Sequence, residues 1–361
     1  MAETIRAAVC RDFNAPLTIE TVTLADPGQG EVKVAVKACA ICHSDIVFAE
    51  GGWGGTLPMV LGHEAAGVVE AVGPDVAGIA PGDHVVVTLI RSCGTCAPCA
   101  SGKPTICEPP HDTVNGPLKT AGGQPLDQAM ACGAFAEKVV VDQRQIVKIP
   151  ADMSKDCAAL ISCGVITGVG AVVNAAQVRA GQDVVVIGAG GVGLNAIQGA
   201  RIAGARRIVA VDMMADKLEI AKEFGATDGV LASDPKPWRA AIKAMGGKAD
   251  AVIVTVGAIP AYDSAPRYLA MGGKIVMVGM PAAGTTAQYE PIIMSNSGQQ
   301  IVGSKMGDVV IKRDIPWMVD LYQQGRLKLD ELISGRWTLE QVNEAIADTK
   351  SGAAKRNVIV F

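Results

Sequence analysis

The stretch 183-DVVVIGAGGVGLNAIQGARIAGARRIVAVD-212 marks a change of periodicity in a chain of 361 residues. A continuous apolar run, Val184–Ile187, leads into four glycines and then into a helical pattern from Leu194 to about residue 203. A second apolar run, Arg207–Val211, closes on Asp212. An apolar strand, a glycine-rich turn, a helix and another apolar strand in this order predict a parallel β-sheet with helices on its faces.

The glycines have the spacing of a dinucleotide-binding turn. Gly188 supplies the tight turn, and Gly190 lets the backbone approach a pyrophosphate. Gly193 permits close packing of helix on strand, and Gly191 lies at the helix N-terminus, which attracts the anion. Asp212, nineteen residues after the last glycine, can accept hydrogen bonds from both ribose hydroxyls and repels a 2′-phosphate. The stretch therefore predicts NAD rather than NADP, and a glycine-rich turn in an unrelated α/β unit is the alternative.

The patterns on either side of this stretch divide the chain into two domains. Downstream, apolar runs at 251–256, 274–278 and 301–303 alternate with helical patterns, which continues the doubly wound sheet over residues 165–301. Upstream, short alternating runs broken by Pro and Gly predict an antiparallel, barrel-like domain over residues 1–164, with a long surface loop at 108–134. The segment 302–361 has no place left in the parallel sheet, so we expect it to return to the first domain. The predicted fold class is α/β plus β.

Composition excludes several classes of partner. The formal net charge is −4 and no cluster of Lys and Arg stands out, so nucleic acid is not expected. The N-terminus shows no pattern of a signal peptide, and the longest apolar run is too short to span a bilayer. We therefore expect a soluble, cytoplasmic protein that uses no membrane. Ten cysteines in such a chain are typical of metal ligands and reduced thiols rather than disulfides.

Four cysteines are closely spaced in the segment 91-RSCGTCAPCASGKPTIC-107. Four thiolates from one short loop with Gly and Pro bends favour a closed tetrahedral zinc site that stabilises the loop. Four buried free thiols, or an iron–sulfur run, are the alternatives. The iron–sulfur pattern needs a last spacer of three residues followed by Pro, whereas here the spacer is seven residues and Glu108 follows. The ligands of this predicted structural zinc are Cys93, Cys96, Cys99 and Cys107.

A second candidate metal site lies in 39-CAICHSDIVFAEGGWGGTLPMVLGHEAAG-67. Cys42, His63 and Glu64 bring a thiolate, an imidazole and a carboxylate into a stretch rich in turns, and this mixture suits Zn²⁺. Taken alone, the Cys and His are also compatible with two unrelated core residues.

Together these motifs resemble the zinc-dependent medium-chain alcohol dehydrogenases. The resemblance rests on Cys42, the GHE triplet at 62–64, the four-cysteine loop, Cys163 and GAGGVG at 188–193 with Asp212, and it covers essentially the whole chain in the same order. It implies a GroES-like catalytic domain split around a Rossmann domain, with one catalytic and one structural zinc per subunit. It also implies an NAD-dependent oxidoreductase that interconverts a primary or secondary alcohol and its aldehyde or ketone by hydride transfer from a zinc-bound alkoxide.

The same resemblance assigns roles around the reacting atoms. Cys42, His63 and Cys163 match the catalytic zinc ligands, with Glu64 beside the metal. Asp45 matches the carboxylate that holds the ligand imidazole, and Ser44 matches the hydroxyl that takes the alcohol proton. A surface carboxylate and a plain turn serine are the alternatives for these last two residues.

Further matches concern the cofactor and the substrate. The cofactor set comprises two basic residues near the pyrophosphate, two residues behind the nicotinamide and one basic residue near the ribose: His43 and Arg356, Thr167 and Val192, and Lys217. The substrate-pocket walls match Trp53, Leu89, Met130 and Met280. Ordinary packed or solvated side chains are the alternative for every member of both sets. Apolar walls with two methionines favour a hydrophobic or aromatic alcohol over a polyol.

The chain departs from the family pattern at two places. Val47 stands where a relay histidine is usual, so the proton needs another route, through water. His111 stands where the glutathione-dependent formaldehyde branch has an arginine, so that activity is the second hypothesis. A non-catalytic NAD- and zinc-binding relative is a third hypothesis. The family and the long 108–134 loop predict a homodimer built through the Rossmann sheets, with a homotetramer as the alternative.

Overall fold

The computed structural model describes residues 2–361, and these divide into two units. One unit runs up to Cys163 and resumes at Val310–Phe361, and the other comprises Gly164–Val309. The predicted domain boundaries, at residues 164 and 302, stay predictions. Past residue 302 the chain still packs in the second unit, because the 3₁₀ turn Met306–Asp308 contacts the helix Ile166–Gly170.

The first unit begins with ten strands and three short helices. The strands are β1 (Glu3–Cys10), β2 (Thr18–Leu24), β3 (Glu31–Ala40), β4 (Met59–Val60), β5 (Glu64–Val72), β6 (His84–Val87), β7 (Leu118–Thr120), β8 (Asp127–Gln128), β9 (Lys138–Asp142) and β10 (Ile146–Lys148). The helices are α1 (His43–Ala49), α2 (Ala97–Ala100) and α3 (Lys155–Leu160).

The second unit is a doubly wound parallel sheet. Its strands are β11 (Asp183–Ile187), β12 (Arg207–Asp212), β13 (Asp228–Leu231), β14 (Ala249–Val254), β15 (Leu269–Met277) and β16 (Gln300–Gly303). Its helices are α4 (Ile166–Gly170), α5 (Gly191–Ile202), α6 (Ala215–Phe224), α7 (Pro237–Met245), α8 (Ile259–Tyr268) and α9 (Pro291–Ser297). All neighbouring strands pair in parallel in the order β13-β12-β11-β14-β15-β16. This confirms the predicted fold class for the central part of the chain.

The position of β11 in this sheet explains its sequence. Val184 pairs with Ile208 on one side and with Ala251 on the other, so β11 lies between β12 and β14. All five residues of β11 are buried, as expected for a strand covered on both faces, and the strand reads as an uninterrupted apolar run. The strand order reverses between β11 and β14, which is where ligands bind in doubly wound sheets.

The chain then returns to the first unit through α10 (Ile311–Gln323), β17 (Ile333–Trp337), α11 (Val342–Ser351) and β18 (Arg356–Val360). Strand β18 pairs antiparallel with β3, placing Val358 opposite Ala40. The first unit therefore contains a seven-stranded sheet, β10-β6-β5-β3-β18-β17 with β9 also on β3, and a five-stranded sheet, β7-β2-β1-β4-β8. Pairing of β18 with β3 thus joins the C-terminal segment to the larger of these two sheets.

The helical run Lys155–Ala176 is unusually long and apolar. Residues Lys155–Ala176 would be long enough to cross a bilayer, but 94% of the run's most apolar 18-residue window is buried within the protein. Two parts of the run, Ile161–Val165 and Ala171–Ala176, have π-helical hydrogen bonding. Wider turns of this kind often occur at functional sites, and the first of them contains Cys163.

The prediction of a surface loop at 108–134 is wrong for parts of the segment from residue 118 onward. Leu118, Leu126 and Cys132 are each at most 2% exposed, and short strands β7 and β8 occur there. Strand β7 pairs with β2, and β8 pairs with β4, so backbone pairing brings this Gly- and Pro-rich segment against the core.

Candidate metal centres and nucleotide-binding turn

Four side chains with metal-binding atoms converge in the first unit. One ligand atom from each of Cys42, His63, Glu64 and Cys163 lies within 4.8 Å of all the others. Cys42 precedes α1, His63 directly precedes β5, which begins at Glu64, and Cys163 lies on the π-helical turn after α3. Three separate elements thus bring together residues that are up to 121 positions apart in the sequence.

Asp45 contacts His63 and fixes the orientation of its imidazole ring. Its Oδ1 lies 3.1 Å from Nδ1 of His63 and accepts from the backbone N–H of Gly62 at 3.0 Å, while its Oδ2 accepts from Cys42 N–H at 2.9 Å. Asp45 and His63 are fully buried. The contact assigns the Nδ1 proton to the hydrogen bond with Asp45 and leaves Nε2 as the lone-pair nitrogen.

Two atoms of this cluster that can bind a metal have no hydrogen-bond partner in the described part of the chain. Within residues 2–361, Nε2 of His63 and Oε1 of Glu64 are buried atoms that have no hydrogen-bond partner. Burial without a partner is costly for such atoms, and a metal ion would satisfy both. Two thiolates and an imidazole are the donor set of catalytic zinc sites that keep an open position. The residues present therefore fit zinc.

The two thiols of this cluster affect each other's pKa. The hydrogen bond with Cys163 lowers the pKa of Cys42 well below its ordinary value, while burial opposes this shift. Ser44 lies beside the same sulfur, with its Oγ 3.4 Å from Sγ of Cys42. The hydroxyl predicted to take the alcohol proton is thus next to a metal ligand.

Glu64 has a partner that sequence reasoning missed. The guanidinium of Arg356, on β18, forms a buried ion pair with Oε2 of Glu64 and donates to the carbonyl of Ile41 at 3.4 Å. Burial raises the pKa of Glu64 to about 7, although the charge of Arg356 opposes the shift. The two residues are 292 positions apart, and no spacing pattern links them. Antiparallel pairing of β18 with β3, which brings Ile359 opposite Cys39, is what places Arg356 there.

The four-cysteine loop forms the second cluster. The Sγ atoms of Cys93 and Cys99 lie 4.0 Å apart, and those of Cys96 and Cys107 lie 3.9 Å apart. A tetrahedron with Zn–S bonds of about 2.3 Å has S···S edges of about 3.8 Å, so these separations fit a zinc ion. The site is closed because all four donors come from protein.

Hydrogen bonds from backbone and side-chain donors to Cys93 stabilise the conformation of this loop. The N–H groups of Thr95 and Cys96 donate to Sγ of Cys93 at 3.4 and 3.2 Å. These hydrogen bonds, chiefly that of Cys96, lower the pKa of Cys93 to about 5. Arg144, which is paired with Asp142, donates to the carbonyl of Cys93 at 3.3 Å. Nε2 of His111 lies 2.9 Å from the carbonyl of Arg91, so this histidine also contacts the loop backbone.

The glycine-rich turn of the second unit connects β11 to α5. A Cβ on Gly193 would lie 1.8 Å from the carbonyl oxygen of Gly188, so only glycine allows this close packing. A Cβ on Gly190 would meet nothing within 4 Å, which leaves that backbone open to a ligand. Asp212 accepts from the N–H of Ala189 at 2.7 Å and from that of Met214 at 3.0 Å. The carboxylate is thereby fixed beside the turn, as binding of a ribose requires.

The remaining residues predicted to contact cofactor or substrate range from buried to largely exposed. Thr167 is 9% exposed, on α4, and its Oγ1 lies 3.7 Å from Sδ of Met306. Trp53 packs edge-on against Phe48 with ring centroids 5.5 Å apart, whereas Met280 is 65% exposed. The other members of the set are exposed or half-buried: His43, Leu89, Met130, Gly191, Val192 and Lys217. Their predicted contacts with cofactor or substrate stay predictions.

Two known domain families match this chain, one in its N-terminal part and one in its C-terminal part. Residues 28–151 match the alcohol dehydrogenase GroES-like domain, and residues 191–324 match the zinc-binding dehydrogenase family. The chain is 35% identical to the NDMA-dependent alcohol dehydrogenase of Amycolatopsis methanolica, over 98% of each protein. It is 36% identical to a probable S-(hydroxymethyl)glutathione dehydrogenase 1 of Schizosaccharomyces pombe, over 99% of this chain and 97% of that protein.

Solved structures of alcohol dehydrogenases are also similar to this chain over their whole length. A zinc-binding-domain alcohol dehydrogenase protein from Burkholderia ambifaria superposes with a TM-score of 0.96 at 35% identity and covers all of both chains. Benzyl alcohol dehydrogenase from Acinetobacter calcoaceticus superposes with a TM-score of 0.94 at 31% identity, over 99% of each chain. The predicted GroES-like and Rossmann architecture is confirmed, and this chain belongs to the zinc-dependent medium-chain alcohol dehydrogenase family, whose members are oxidoreductases that use zinc and NAD(P).

Proposed function

We propose that Cys42, His63 and Cys163 hold the catalytic zinc of an NAD-dependent alcohol dehydrogenase, with Glu64 beside the metal. The observation that carries this proposal is the convergence of four donor atoms within 4.8 Å, including an Nε2 of His63 with no hydrogen-bond partner among the described residues. The four-cysteine loop would hold the structural zinc, giving two metal ions per subunit.

The residues around the cluster would orient the reactants and move one proton. Asp45 holds His63 in the tautomer whose Nε2 can bind a metal. When bound, zinc polarises the alcohol oxygen and makes its hydroxyl more acidic. Bound NAD⁺ would supply the acceptor for the hydride from the alcohol carbon, and Ser44 would accept the hydroxyl proton of the alcohol. A serine accepts a proton only by donating its own, so water must carry the proton onward past Val47, which has no titratable group.

The second unit would bind NAD through the glycine-rich turn, with Asp212 on the ribose hydroxyls. His43 and Lys217 are proposed to add positive charge near the pyrophosphate and the ribose, and Thr167 and Val192 to support the nicotinamide. For Arg356 the observed partner supports a different role from a pyrophosphate contact. Because its guanidinium is buried against Glu64, we propose that it offsets the charge of that carboxylate.

The substrate proposal is a hydrophobic or aromatic alcohol and its carbonyl product. Three half-buried apolar residues, Trp53, Leu89 and Met130, and the exposed Met280 are the proposed walls. Structural similarity to benzyl alcohol dehydrogenase supports this substrate class. Oxidation of S-(hydroxymethyl)glutathione is a second candidate, because a relative with that name is 36% identical. Against it, His111 occupies the place of the expected arginine and contacts the loop backbone.

We also propose a cytoplasmic homodimer formed through the second unit, with a homotetramer as the alternative. Seven of the twelve exposed large apolar side chains in the described chain fall between residues 271 and 301: Met271, Met277, Met280, Tyr289, Ile292, Ile293 and Ile301. We call these seven residues the apolar patch. Strand β16 is an edge strand of the parallel sheet, and its unpaired backbone groups could pair with those of a second copy.

Replacing Cys163 with Ala tests the catalytic site directly. We expect zinc, measured by atomic emission, to fall from about two ions per chain to about one. NADH formation from an alcohol should fall by about 100-fold or more, since the ligand set is incomplete. Cys157→Ala is the matched control, because Cys157 is an equally buried thiol six residues earlier on the same helical run. Full activity in Cys163→Ala would refute the assignment.

A substrate panel tests the alcohol class. Initial rates with ethanol, hexanol, benzyl alcohol, glycerol and S-(hydroxymethyl)glutathione should give the highest kcat/KM for hexanol or benzyl alcohol. The reason is that apolar walls gain free energy from each buried CH₂, about 0.8 kcal/mol, and leave hydroxyls of a polyol unsatisfied. A preference for glycerol would defeat the proposal, and a preference for the glutathione adduct would select the second candidate. NAD⁺ binding with no turnover of any alcohol would favour the non-catalytic relative.

A further inference from the structure

Gln145 is a buried amide that lies between the two proposed wall segments of the first unit. It ends a 3₁₀ turn, Gln143–Gln145, that joins β9 to β10, and it is 1% exposed. Its type and position gave no signal in the sequence, because a single glutamine between two strands is an ordinary turn residue.

The hydrogen bonds of this side chain connect two separate segments. Its Nε2 donates to the carbonyl of Thr88 and to the carbonyl of Ala131, both at 2.9 Å. Its Oε1 accepts from the N–H of Asp142 at 3.3 Å, and its backbone carbonyl accepts from Thr88 N–H at 3.0 Å. Both amide N–H groups are therefore used, one on each segment, and the side chain has no exposed face to solvent.

The second of these segments has a conformation that needs support. Met130 and Ala131 have φ values of 54° and 56°, in the left-handed region that residues with a Cβ rarely adopt. The carbonyl of Cys132, next in sequence, accepts from Nε2 of Gln128 at 3.2 Å. Two buried glutamines thus hold a turn that the local sequence alone disfavours.

Both segments lead directly to the proposed zinc ligands. Val87, just before Thr88, pairs with Ala65, which follows Glu64 on β5. On the other side, Ala134 donates its N–H to the carbonyl of Gly62 at 2.8 Å, next to His63. The positions of Leu89 and Met130 relative to the metal cluster are therefore set by the two segments that Gln145 connects.

We propose that Gln145 is a positioning residue that determines the selectivity of the site for bulky alcohols. This inference rests on the proposed function, in which Leu89 and Met130 are walls of the substrate site. Without the two donated hydrogen bonds, the Ala131 carbonyl loses its buried amide partner. The Thr88 carbonyl loses the same donor and keeps the weaker thiol donor of Cys132 at 3.3 Å. The two segments then shift to satisfy these carbonyls. A bulky alcohol fills the space between the walls and is affected by the shift, whereas ethanol does not reach them.

The test compares Gln145→Met with Gln143→Met. Methionine keeps the length and volume of glutamine but donates no hydrogen bond. Gln143 is the matched control because its side chain also bonds to backbone, at Asp75 and Ala77, on a loop away from these segments. For the zinc-loaded Gln145→Met enzyme, kcat/KM for benzyl alcohol relative to ethanol should fall about 10-fold, mostly through a higher KM. The control should keep the wild-type ratio within about twofold.

Hydrogen exchange supplies a second measurement that needs no turnover. Amides in 129–133 should exchange about 10-fold or more faster in Gln145→Met than in the wild type or the control, because the turn loses a restraint. A wild-type protein inactive towards every alcohol would refute the proposed function, while the exchange result would still decide whether Gln145 holds the turn. Unchanged exchange, or an unchanged selectivity ratio in an active variant, would overturn the inference. If Gln145→Met does not fold, Gln145→Glu, which keeps the acceptor oxygen, replaces it. The same fall in selectivity and the same faster exchange in 129–133 are expected, and the absence of either would overturn the inference.

Discussion

At the scale of single residues, Asp212 is the side chain whose geometry most directly implies a choice between cofactors. Two backbone N–H groups, of Ala189 and Met214, fix both carboxylate oxygens beside the glycine-rich turn. A fixed negative charge there repels a 2′-phosphate and accepts hydrogen bonds from ribose hydroxyls.

Asp212→Ser should shift cofactor preference towards NADP⁺. The substitution removes the repelling charge and one acceptor of the ribose bonds, so we expect kcat/KM for NADP⁺ relative to NAD⁺ to rise about 10- to 100-fold, a change of roughly 1.4–2.7 kcal/mol. Steady-state kinetics with both cofactors measure the ratio. Asp216→Ser, which removes an exposed carboxylate four residues later, is the control. An unchanged ratio in Asp212→Ser would remove Asp212 from the cofactor site.

Some site residues were predictable from sequence because their chemistry shows in local spacing. The four-cysteine loop and the glycine-rich turn each place all their members within about fifteen residues, so the pattern itself carries the information. The Arg356 partner of Glu64 and the bridging Gln145 were missed because each depends on strand pairing between distant segments. Buried hydrogen bonds and ion pairs of this kind leave no periodic trace.

At the scale of elements, an ion pair links helix α3 to strand β17. Asp156, in the first turn of α3 and 7% exposed, pairs with Arg336 of β17 at 2.6 Å. Burial tends to raise the pKa of Asp156, but the hydrogen bonds of Ser154 and Arg336 outweigh it, and the pKa is lowered. The link matters for the site because α3 leads into the π-helical turn that contains Cys163.

The lowered pKa gives a pH-dependent prediction. Since the folded state holds the proton of Asp156 more weakly than the unfolded state, this group stabilises the fold above its ordinary pKa of 3.8 and loses that effect as pH falls through the lowered value. Arg336→Met should therefore reduce the free energy of unfolding by about 1–2 kcal/mol at pH 7, and by less at pH 3. Urea unfolding at both pH values measures the difference from the wild type.

Lys222→Met is the control for this comparison. Lys222 pairs with Glu219 on the exposed surface of α6, with both side chains largely in solvent. Exposed pairs contribute little, so this variant should differ from the wild type by less than about 0.5 kcal/mol at either pH. An Arg336→Met protein with the same loss of stability at pH 3 as at pH 7 would show that packing, not charge, accounts for its effect.

Helices and strands were predictable where the apolar residues followed a clear period. The long apolar strands of the parallel sheet were found, but β13, four residues that include Asp228 and Gly229, was not, because its composition has low β-propensity. It forms because parallel pairing with β12 supplies its hydrogen bonds. The buried parts of 108–134 were also missed, since Gly and Pro indicate turns but do not say whether a turn is exposed.

At the scale of the whole molecule, the apolar patch predicts the oligomeric state. Ile292 is 76% exposed and Met271 is 78% exposed, and a surface that leaves many large apolar side chains in solvent is a candidate for an interface. Ile292→Lys should shift the protein from dimer to monomer in sedimentation-velocity runs, by placing a charge in the proposed interface. Ile106→Lys, at an isoleucine 45% exposed in the four-cysteine loop of the first unit, should sediment as the wild type does. Identical sedimentation of wild type and Ile292→Lys would contradict an interface at this patch.

The two metal clusters also differ in when their ligands leave the ribosome. The four-cysteine loop is complete once residue 107 has been synthesised, so zinc can bind there while most of the chain is still unmade. The other cluster gains its last thiol only at Cys163, and Glu64 meets its arginine only after 292 further residues. During synthesis, therefore, the Glu64 carboxylate lacks its guanidinium partner until the final strand pairs with β3. The order of translation separates early metal binding in the loop from late completion of the second cluster.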